Sequence, residues 1–209
     1  EKFVRIIEAH SPLSALIAEN LSIQKGNKLV QFDGFWSSSL TDSTVLGKPD
    51  IEVLDINLRL GNINSIFEVT TKPLIMDGDT GGKIEHFELN VKSMERTGVS
   101  AVIIEDKKGL KKNSLLGNKV YQKQETIKDF SKKIIAGKKA SLTDDFMIIA
   151  RIESFILQKG LNDALKRAEN YVKAGADGIM IHSKSNSPNE IFSFSKKFRK
   201  KFKKFPLIC

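Results

Sequence analysis

Short apolar runs alternate with amphipathic segments along the whole chain. Runs rich in Val, Ile, Leu and Phe predict buried strands, and they lie at residues 4–10, 29–36, 73–77, 101–104, 146–151, 179–182 and 206–209. Apolar residues three or four positions apart predict the helices between them, at 14–22, within 41–69, over a segment ending at 97, and at 127–137, 161–175 and 188–202. This alternation predicts a parallel sheet covered by helices.

An internal repeat refines the fold prediction. Residues 98–105 and 175–182 share a glycine, a short apolar run and a polar residue at its end. Such units favour a (β/α)8 barrel over a doubly wound sheet, because no glycine-rich dinucleotide fingerprint follows any strand. The last predicted strand is the seventh. We therefore expect one domain over residues 1–209 that forms an incomplete barrel.

Composition and cysteine count indicate the class of protein and the cellular compartment. The 209 residues are 40% hydrophobic and 28% charged, which is typical of an ordinary globular domain. No apolar run approaches the roughly 20 residues that a membrane span needs. The single cysteine, Cys209, excludes an internal disulfide within this sequence, and we expect a reducing, cytoplasmic setting.

The formal net charge of +9 raises the question of nucleic-acid binding. Much of the excess lies in the basic residues of 196–204. Ile191, Phe194, Phe198 and Phe202 recur there at helical spacing, so the basic residues are the exposed face of an amphipathic helix. We predict a small-molecule substrate and neither a nucleic-acid nor a membrane partner.

Five predicted strands run directly into polar or charged residues, at 36–40, 77–82, 105–107, 151–153 and 182–184. In a barrel, function lies where strands end and the following loops begin. Any single polar loop needs no function to explain it. Five in succession favour a functional site, because a stable barrel needs no charges at its mouth.

Carboxylates dominate two of these strand ends. Asp77 and Asp79 are expected on one side of an extended segment, because side chains alternate along it, and Glu105 ends the adjacent strand. They form an all-oxygen set suited to Mg²⁺ or Mn²⁺, with Asp50 as a further, outer carboxylate. The alternative is an Asx-type turn before glycines. Zinc is disfavoured because the sequence has no cluster of Cys and His.

The loop after Glu105 is rich in lysine and contains Lys111, Asn113 and Ser114. Lysine charge combined with short amide and hydroxyl donors suits an anion such as phosphate or carboxylate. A solvated polar loop is the alternative interpretation.

Two further strand ends carry basic side chains. Arg151 could bind a carboxylate or phosphate, or it could form a salt bridge with Glu153 or Asp106. His182 could be an acid, a base or an anion-binding donor, although a lone histidine is commonly structural. The repeat that aligns His182 with Glu105 places it at the mouth.

Several motifs, in order, resemble those of the isocitrate lyase/phosphoenolpyruvate mutase superfamily. They are Asp77-Gly78-Asp79-Thr80-Gly81-Gly82, Glu105-Asp106-Lys107 with Lys111-Lys112-Asn113-Ser114, Ala150-Arg151-Ile152-Glu153 and Met180-Ile181-His182-Ser183-Lys184. The resemblance implies a Mg²⁺-dependent (β/α)8 barrel that acts on 2-oxo acids and their enol phosphates. Full members of the superfamily continue through an eighth strand and a final helix, so the resemblance implies that residues 1–209 are a fragment of a longer protein. For the full-length form it also implies a homo-oligomer in which that final helix is swapped between subunits.

The lysine-rich loop distinguishes the branches of this superfamily. Isocitrate and methylisocitrate lyases carry Lys-Lys-Cys-Gly-His there, whereas phosphoenolpyruvate mutases and phosphonopyruvate hydrolases carry Lys-x-Asn-Ser, as this chain does. The resemblance therefore implies mutase activity, in which a phosphoryl group moves from oxygen to carbon in phosphonate biosynthesis. The alternatives are the hydrolase and an inert, truncated barrel.

The resemblance also implies a role for each candidate residue. The resemblance implies that Asp77 binds Mg²⁺ directly. It implies that three further carboxylates surround the ion, mainly through bound water: Asp50, Asp79 and Glu105. Those implied to contact the body and carboxylate of the substrate are Trp36, Ser38 and the backbone N–H groups of Ser39 and Leu40. Those implied to surround the phosphoryl group are Lys111, Asn113, Ser114, Arg151 and His182, of which we expect Asn113 and Arg151 to contribute most.

Overall fold

The computed structural model describes residues 3–109, 111–113 and 121–209. Its strands are β1 (Ile6–Glu8), β2 (Ser22–Lys25), β3 (Lys28–Gln31), β4 (Gly34–Ser37), β5 (Leu74–Asp77), β6 (Ala101–Glu105), β7 (Lys107–Lys108), β8 (Lys123–Gln124), β9 (Met147–Ile152), β10 (Gly178–Ile181) and β11 (Leu207–Ile208). Seven of them form a parallel sheet in the order β1-β4-β5-β6-β9-β10-β11. The sheet curls into a half-barrel, which confirms the predicted incomplete (β/α)8 architecture.

Seven helices accompany the sheet in the part of the chain that the structure describes. They are α1 (Pro12–Asn20), α2 (Ser39–Val45), α3 (Ile56–Phe67), α4 (Ile84–Thr97), α5 (Ile127–Ala140), α6 (Gly160–Lys173) and α7 (Asn189–Lys201). None of these helices is long and apolar enough to cross a membrane.

The main core lies between the sheet and the helices. Successive strand residues point to opposite faces, so Val102 and Ile104 of β6 join the large hydrophobic cluster that includes the helix side chains. Ala101 and Ile103 belong to a smaller cluster on the other face. Because both faces of β6 are buried, its sequence is a continuous apolar run, as expected for a strand of a parallel sheet.

The predicted strand at 29–36 is wrong as a single element. Its first half is β3, which pairs antiparallel with β2 in a separate hairpin, and its second half is β4 of the main sheet. Gly34 opens β4 because a Cβ there would lie 2.7 Å from the carbonyl oxygen of Pro73. The backbone N–H of Phe35 donates to that same oxygen at 2.8 Å. Glycine at this position therefore allows the close approach of two backbones.

Glycine also explains a wrong helix end. The sequence predicts that Gly137 ends its helix, but α5 continues to Ala140. A Cβ at Gly137 would lie 2.5 Å from side-chain carbons of both Ile148 and Phe87, so this glycine serves close packing. Gly98, with a φ of 104°, does end α4 in the left-handed conformation as predicted.

The start of α7 differs from the prediction by one residue. The sequence places Pro188 at the first helical position, whereas Pro188 precedes the helix and Asn189 opens it. The N–H of Asn189 donates to Ser187 Oγ at 3.4 Å, so Ser187 still satisfies a donor at this helix end.

A two-residue ladder closes the base of the loop that follows β6. Strand β7 pairs antiparallel with β8 through Lys107–Gln124 and Lys108–Lys123. The ladder brings the two ends of this loop together beside the carboxyl end of the sheet, where the site described next is found.

Candidate active site

Side chains from several strand ends meet at the carboxyl end of the sheet. Asp77 and Glu105 end β5 and β6, Arg151 is the residue before the last of β9, and His182 directly follows β10. The strand register places Glu105 opposite Arg151. The predicted convergence of polar side chains at the mouth of the sheet is therefore present.

Lys111 lies among carboxylates on one side of this mouth. Its Nζ is 2.8 Å from Asp50 Oδ1 and 2.5 Å from Ser39 Oγ, and it also contacts Asp79. Ser39 Oγ in turn donates to Asp77 Oδ2 at 3.0 Å. Burial lowers the pKa of Lys111, but Asp77 and Asp79 outweigh it and hold the pKa above its ordinary value. Lys111 is therefore a buried ammonium ion.

Asp77 and Asp79 come together through a turn, and the prediction that they share one side of an extended segment is wrong. Asp79 has a φ of 56°, and its N–H donates to Asp77 Oδ1 at 3.0 Å, as in an Asx-type turn. Burial by itself acts to raise the pKa of both carboxyl groups. For Asp77 the charges of Lys111 and Arg151 outweigh burial, and the net effect is a lowered pKa. For Asp79 burial and the charge of Asp77 prevail, and its pKa is raised.

Arg59 of α3 is a buried cation that the sequence analysis did not identify. Its Nε lies 2.8 Å from Asp42 Oδ2, and its Nη1 donates to the backbone oxygen of Asp77 at 2.6 Å and approaches Asp79 Oδ2 at 3.4 Å. Arg59 thus balances the aspartates and holds the end of β5. A signal was present, because Arg59 shares the apolar face of α3 with Ile63, and a charge on such a face predicts a buried partner.

Arg151 lies among carboxylates on the other side of the mouth. Its Nε donates to Glu153 Oε1 at 2.7 Å, its Nη2 lies 3.2 Å from Glu105 Oε2, and its Nη1 lies 3.9 Å from Asp77 Oδ2. His182 Nε2 is within hydrogen-bonding distance of Glu153 and lies 3.3 Å from Arg151 Nε. The pairing with Glu153 that the sequence allowed is therefore formed, and it orients the guanidinium group at the mouth.

Glu105 is buried, and neither of its carboxylate oxygens accepts a hydrogen bond in the described part of the chain. Arg151 Nη2 and Lys107 Nζ lie at ion-pair distances of 3.2 and 3.5 Å. Burial raises the pKa of Glu105 to about 8, with Arg151 opposing the rise and Glu153 adding to it. A buried carboxylate that lacks hydrogen-bond donors is a suitable ligand, direct or through water, for a cation.

The donor set as a whole fits a hard divalent cation, because it consists of carboxylate oxygens with one serine hydroxyl nearby. As the side chains stand, no three acidic, His or Cys side chains in residues 3–109, 111–113 and 121–209 are gathered closely enough to hold a metal ion. The ammonium group of Lys111 bridges Asp50 and Asp79 instead. A divalent cation would therefore have to replace this ammonium among the carboxylates.

The predicted substrate-contacting residues lie together on β4 and α2. Trp36 is in β4, and Ser38 caps α2 by accepting a hydrogen bond from the N–H of Thr41 at 3.4 Å. Ser39 and Leu40 are the first two residues of α2, where N–H groups have no acceptor within the helix. Sequence reasoning used only the backbone of Ser39, whereas its hydroxyl also contacts Lys111 and an aspartate.

The amide of Asn113 joins the same side of the mouth. Its Nδ2 donates to Asp50 Oδ2 at 2.8 Å, so Asn113 and Lys111 hold the two oxygens of one carboxylate. The predicted role of Ser114 lies outside the residues that the structure describes.

Known proteins are similar to this chain in sequence and fold. The family model that matches residues 1–208 is that of phosphoenolpyruvate phosphomutase. The phosphoenolpyruvate phosphomutase of Tetrahymena pyriformis is 38% identical over 195 residues, which are 93% of this chain and 62% of that protein. Lyases are also among the matching relatives.

Two solved structures extend the comparison. The phosphoenolpyruvate phosphomutase of Streptomyces platensis subsp. rosaceus matches with a TM-score of 0.85 and 38% identity, over 95% of this chain and 66% of that one. A phosphonopyruvate hydrolase solved with oxalate and Mg²⁺ matches with a TM-score of 0.83 and 33% identity, over 99% of this chain and 66% of that one. The chain thus spans somewhat less than two thirds of the length of these relatives. It belongs to the phosphoenolpyruvate phosphomutase family.

Proposed function

We propose that this chain is the catalytic barrel of a Mg²⁺-dependent phosphoenolpyruvate mutase, which interconverts phosphoenolpyruvate and phosphonopyruvate in phosphonate biosynthesis. The observation that carries the proposal is the contact of Lys111 and Asn113 with the Asp50 carboxylate. The resemblance of the loop motifs aligns Asn113 with the cysteine of the lyases. The loop therefore offers positive charge and an amide donor, which suit an anionic group better than carbon–carbon cleavage.

The carboxylate side of the mouth would bind the metal ion and the 2-oxo acid. Asp77, with Asp50 and Asp79 beside it, would hold Mg²⁺. When bound, this ion would supply positive charge at the carboxylate and enol oxygen of the substrate. The N–H groups of Ser39 and Leu40 at the start of α2 would bind the substrate carboxylate.

Basic and amide groups on both sides of the mouth would bind the phosphoryl group. Arg151 and His182 belong to one wall, and Lys111 and Asn113 belong to the wall opposite. Together they would hold the phosphoryl oxygens while the bond from phosphorus to the enol oxygen breaks and a bond to C3 forms. No water or net proton is consumed in this isomerisation. Positioning and charge neutralisation are therefore the main demands on the protein.

Phosphonopyruvate hydrolysis is the second candidate, supported by the similarity to the hydrolase structure at 33% identity. In that reaction the oxygen of water adds to phosphorus, the phosphorus–carbon bond breaks, and C3 takes a proton. The same residues serve both reactions. The outcome depends on whether the loop after β6 excludes water from the bound phosphoryl group.

Phosphorus NMR on phosphonopyruvate, with and without Mg²⁺, tests the proposal. We expect Mg²⁺-dependent formation of phosphoenolpyruvate. Phosphate with pyruvate as the sole products would identify the hydrolase. If neither phosphoenolpyruvate nor phosphate forms, the result would support the inert barrel.

We expect Asn113→Ala to lower the rate about 100-fold, since one positioned donor has an effect of that size. Asn170→Ala is the matched control, because Asn170 is half-buried on α6 and its side chain donates to the backbone oxygen of Lys166 within the same helix.

We also propose that residues 1–209 form a single barrel domain and that the full-length protein is a homo-oligomer. A single cooperative unfolding transition would support the first statement, and two separate transitions would refute it. Light scattering on the full-length protein measures the second, and a monomeric mass would contradict it.

A further inference from the structure

We propose that Asp106 is a positioning residue that holds both walls of the phosphoryl site in place. Its effect on turnover rests on the function proposed above, whereas its effect on the loop after β6 does not. Asp106 directly follows Glu105 but points away from the mouth, into a buried polar cluster behind it.

The carboxylate of Asp106 is fully buried, at 0% exposure, and accepts five hydrogen bonds. The donors are Gln124 Nε2 at 2.9 and 3.0 Å, the N–H of Glu153 at 2.9 Å, Arg167 Nη1 at 3.0 Å and the hydroxyl of Tyr171 at 2.7 Å. We call Asp106 and its four donor residues the Asp106 cluster. It joins the ends of β6 and β9 to β8 and α6.

The cluster first fixes the outgoing end of the loop. Lys107 follows Asp106 directly, and its Nζ donates to the backbone oxygen of Lys112 at 3.0 Å. Lys112 lies between Lys111 and Asn113, the two residues that contact the metal-binding side. A shift of the chain at Asp106 would therefore move both of these side chains.

The returning end of the loop is held by the same carboxylate. Gln124 donates to both oxygens of Asp106, and the N–H of Glu125 donates to its backbone oxygen at 2.8 Å. Arg167 Nη1 also donates to the backbone oxygen of Glu125 at 2.9 Å. Both strands of the loop base are thereby tied to α6 through Asp106 and Arg167.

The opposite wall depends on Asp106 as well. The N–H of Asp106 donates to the backbone oxygen of Arg151 at 3.1 Å, and the Asp106 carboxylate accepts from the N–H of Glu153. The side chain of Glu153 orients both Arg151 and His182. Asp106 therefore determines the position of the end of β9 from which these basic groups project.

The arrangement is specific for a carboxylate. Every donor of the cluster points at an acceptor, so an amide in place of Asp106 would direct its NH₂ group against an N–H or O–H donor. Loss of such a supporting residue commonly lowers activity or metal affinity about 10- to 100-fold. Misplacement of a phosphoryl-binding group by about 1 Å has an effect of similar size.

The test compares Asp106→Asn with Asp177→Asn. Asp177 also accepts from a backbone N–H, that of Ile148 at 2.8 Å, and from a cation, Lys138 Nζ at 2.8 Å. It precedes β10 and so lies at the opposite end of the parallel sheet from Asp106. Each substitution removes a carboxylate that accepts hydrogen bonds from a backbone N–H group and from a cationic side chain. Only Asp106→Asn does so at the carboxyl end of the sheet, where the candidate site lies.

With phosphonopyruvate and Mg²⁺, we expect Asp106→Asn to lower kcat about 10- to 100-fold. We also expect a larger fraction of phosphate and pyruvate among its products, because a displaced loop admits water. Asp177→Asn should keep the kcat and product ratio of the unsubstituted chain below its own unfolding temperature. The proposal is overturned if Asp106→Asn keeps both quantities unchanged, or if Asp177→Asn alters them equally.

Hydrogen exchange tests the same inference without turnover. We expect Asp106→Asn to accelerate amide exchange at least about 10-fold in residues 106–109, 111–113 and 121–126, and Asp177→Asn to leave these segments unchanged. If Asp106→Asn does not fold, Gln124→Leu decides, since it removes only the bonds from β8 and leaves those from α6. Unchanged exchange in the folded variant overturns the proposal. If the unsubstituted chain does not convert phosphonopyruvate, the proposed function fails while exchange still tests Asp106.

Discussion

Replacing Lys111 with methionine should show whether its ammonium group competes with a divalent cation for the same carboxylates. Methionine keeps the length of the side chain and removes its charge. In the structure the ammonium bridges Asp50 and Asp79 and contacts Ser39. The substitution leaves these carboxylates close together without their shared counter-ion, although Arg59 still lies near Asp79.

The size of the effect follows from the burial of the group. The Lys111 side chain is 3% exposed, and removal of one partner from a buried ion pair costs about 3–5 kcal/mol. We take about 3 kcal/mol, because Arg59 and entering water offset part of the loss. For a chain of this length 1 kcal/mol changes Tm by about 2–4 °C. Without metal, Lys111→Met should therefore unfold about 6–12 °C below the unsubstituted chain.

Mg²⁺ should stabilise the variant more strongly than the unsubstituted chain. In the unsubstituted chain Mg²⁺ must displace the ammonium, so its apparent affinity is lowered by up to the same 3 kcal/mol, or about 100-fold. In Lys111→Met the carboxylates are open to the metal. We expect Mg²⁺ to bind the variant about 10- to 100-fold more tightly and to raise its Tm more. Catalysis should nevertheless be lost, because the variant lacks a phosphoryl-binding cation.

Calorimetric titration and thermal unfolding at several Mg²⁺ concentrations measure both effects. Lys112→Met is the control: it removes the neighbouring ammonium, which makes no ion pair with these carboxylates in the described residues. It should leave the Mg²⁺ affinity within about twofold. Equal Mg²⁺ affinity and equal metal-free Tm for Lys111→Met and the unsubstituted chain would refute the reasoning.

Three further predictions concern residues other than Lys111. Arg59→Met should lower the free energy of unfolding in urea by about 3–5 kcal/mol, since it leaves the buried Asp42 carboxylate without its cationic partner; a loss below about 1 kcal/mol would contradict this. Gly137→Ala should destabilise by about 1–3 kcal/mol through overpacking, whereas Gly61→Ala, with no atom within 4 Å of its new Cβ, should stabilise by about 0.5–1 kcal/mol; equal effects would rule out the packing argument. Burial slightly opposes ionisation of Glu95, but a threonine hydroxyl and two backbone N–H groups outweigh it and hold its pKa below 4.5. The loss of stability in Glu95→Gln should therefore be complete above pH 4.5 and should vanish as the pH falls through the pKa of the folded state. Urea midpoints of the two proteins that differ equally at pH 7 and pH 3 would exclude this.

The fold was predictable because its strands and helix ends have local causes. The central strands of the main sheet are largely buried on both faces, so residues 101–104 of β6 and 147–150 of β9 appear as continuous apolar runs. Glycines at 98 and 175 end helices through a positive φ, which is a property of the residue itself. Strand β2 was missed because its exposed residues give no apolar run, and β3 was merged with β4 because Leu29 and Val30 continue the apolar run that leads into β4. Gly137 was misread because close packing against α4 leaves no local signal.

The site was predictable in composition but not in its contacts. Polar residues at strand ends identified Asp77, Glu105, Arg151 and His182, because parallel strands present their carboxyl ends at one edge. The bond between Lys111 and Asp50 joins residues 61 positions apart, and no periodic pattern relates them. Such contacts depend on loop conformation, which is decided by the whole fold.

Asp77 is the point at which the two sides of the mouth meet, and this explains why one site can hold so many charges. Lys111 reaches Asp77 through the Ser39 hydroxyl, and Arg151 approaches it at 3.9 Å from the other side. In this arrangement the cations that would bind a phosphoryl group serve as counter-ions of the carboxylates. A divalent cation at Asp77 would take over that task and release Lys111 and Arg151 toward the substrate. Metal and phosphoryl binding should therefore be mutually reinforcing, since each removes the charge imbalance that the other creates.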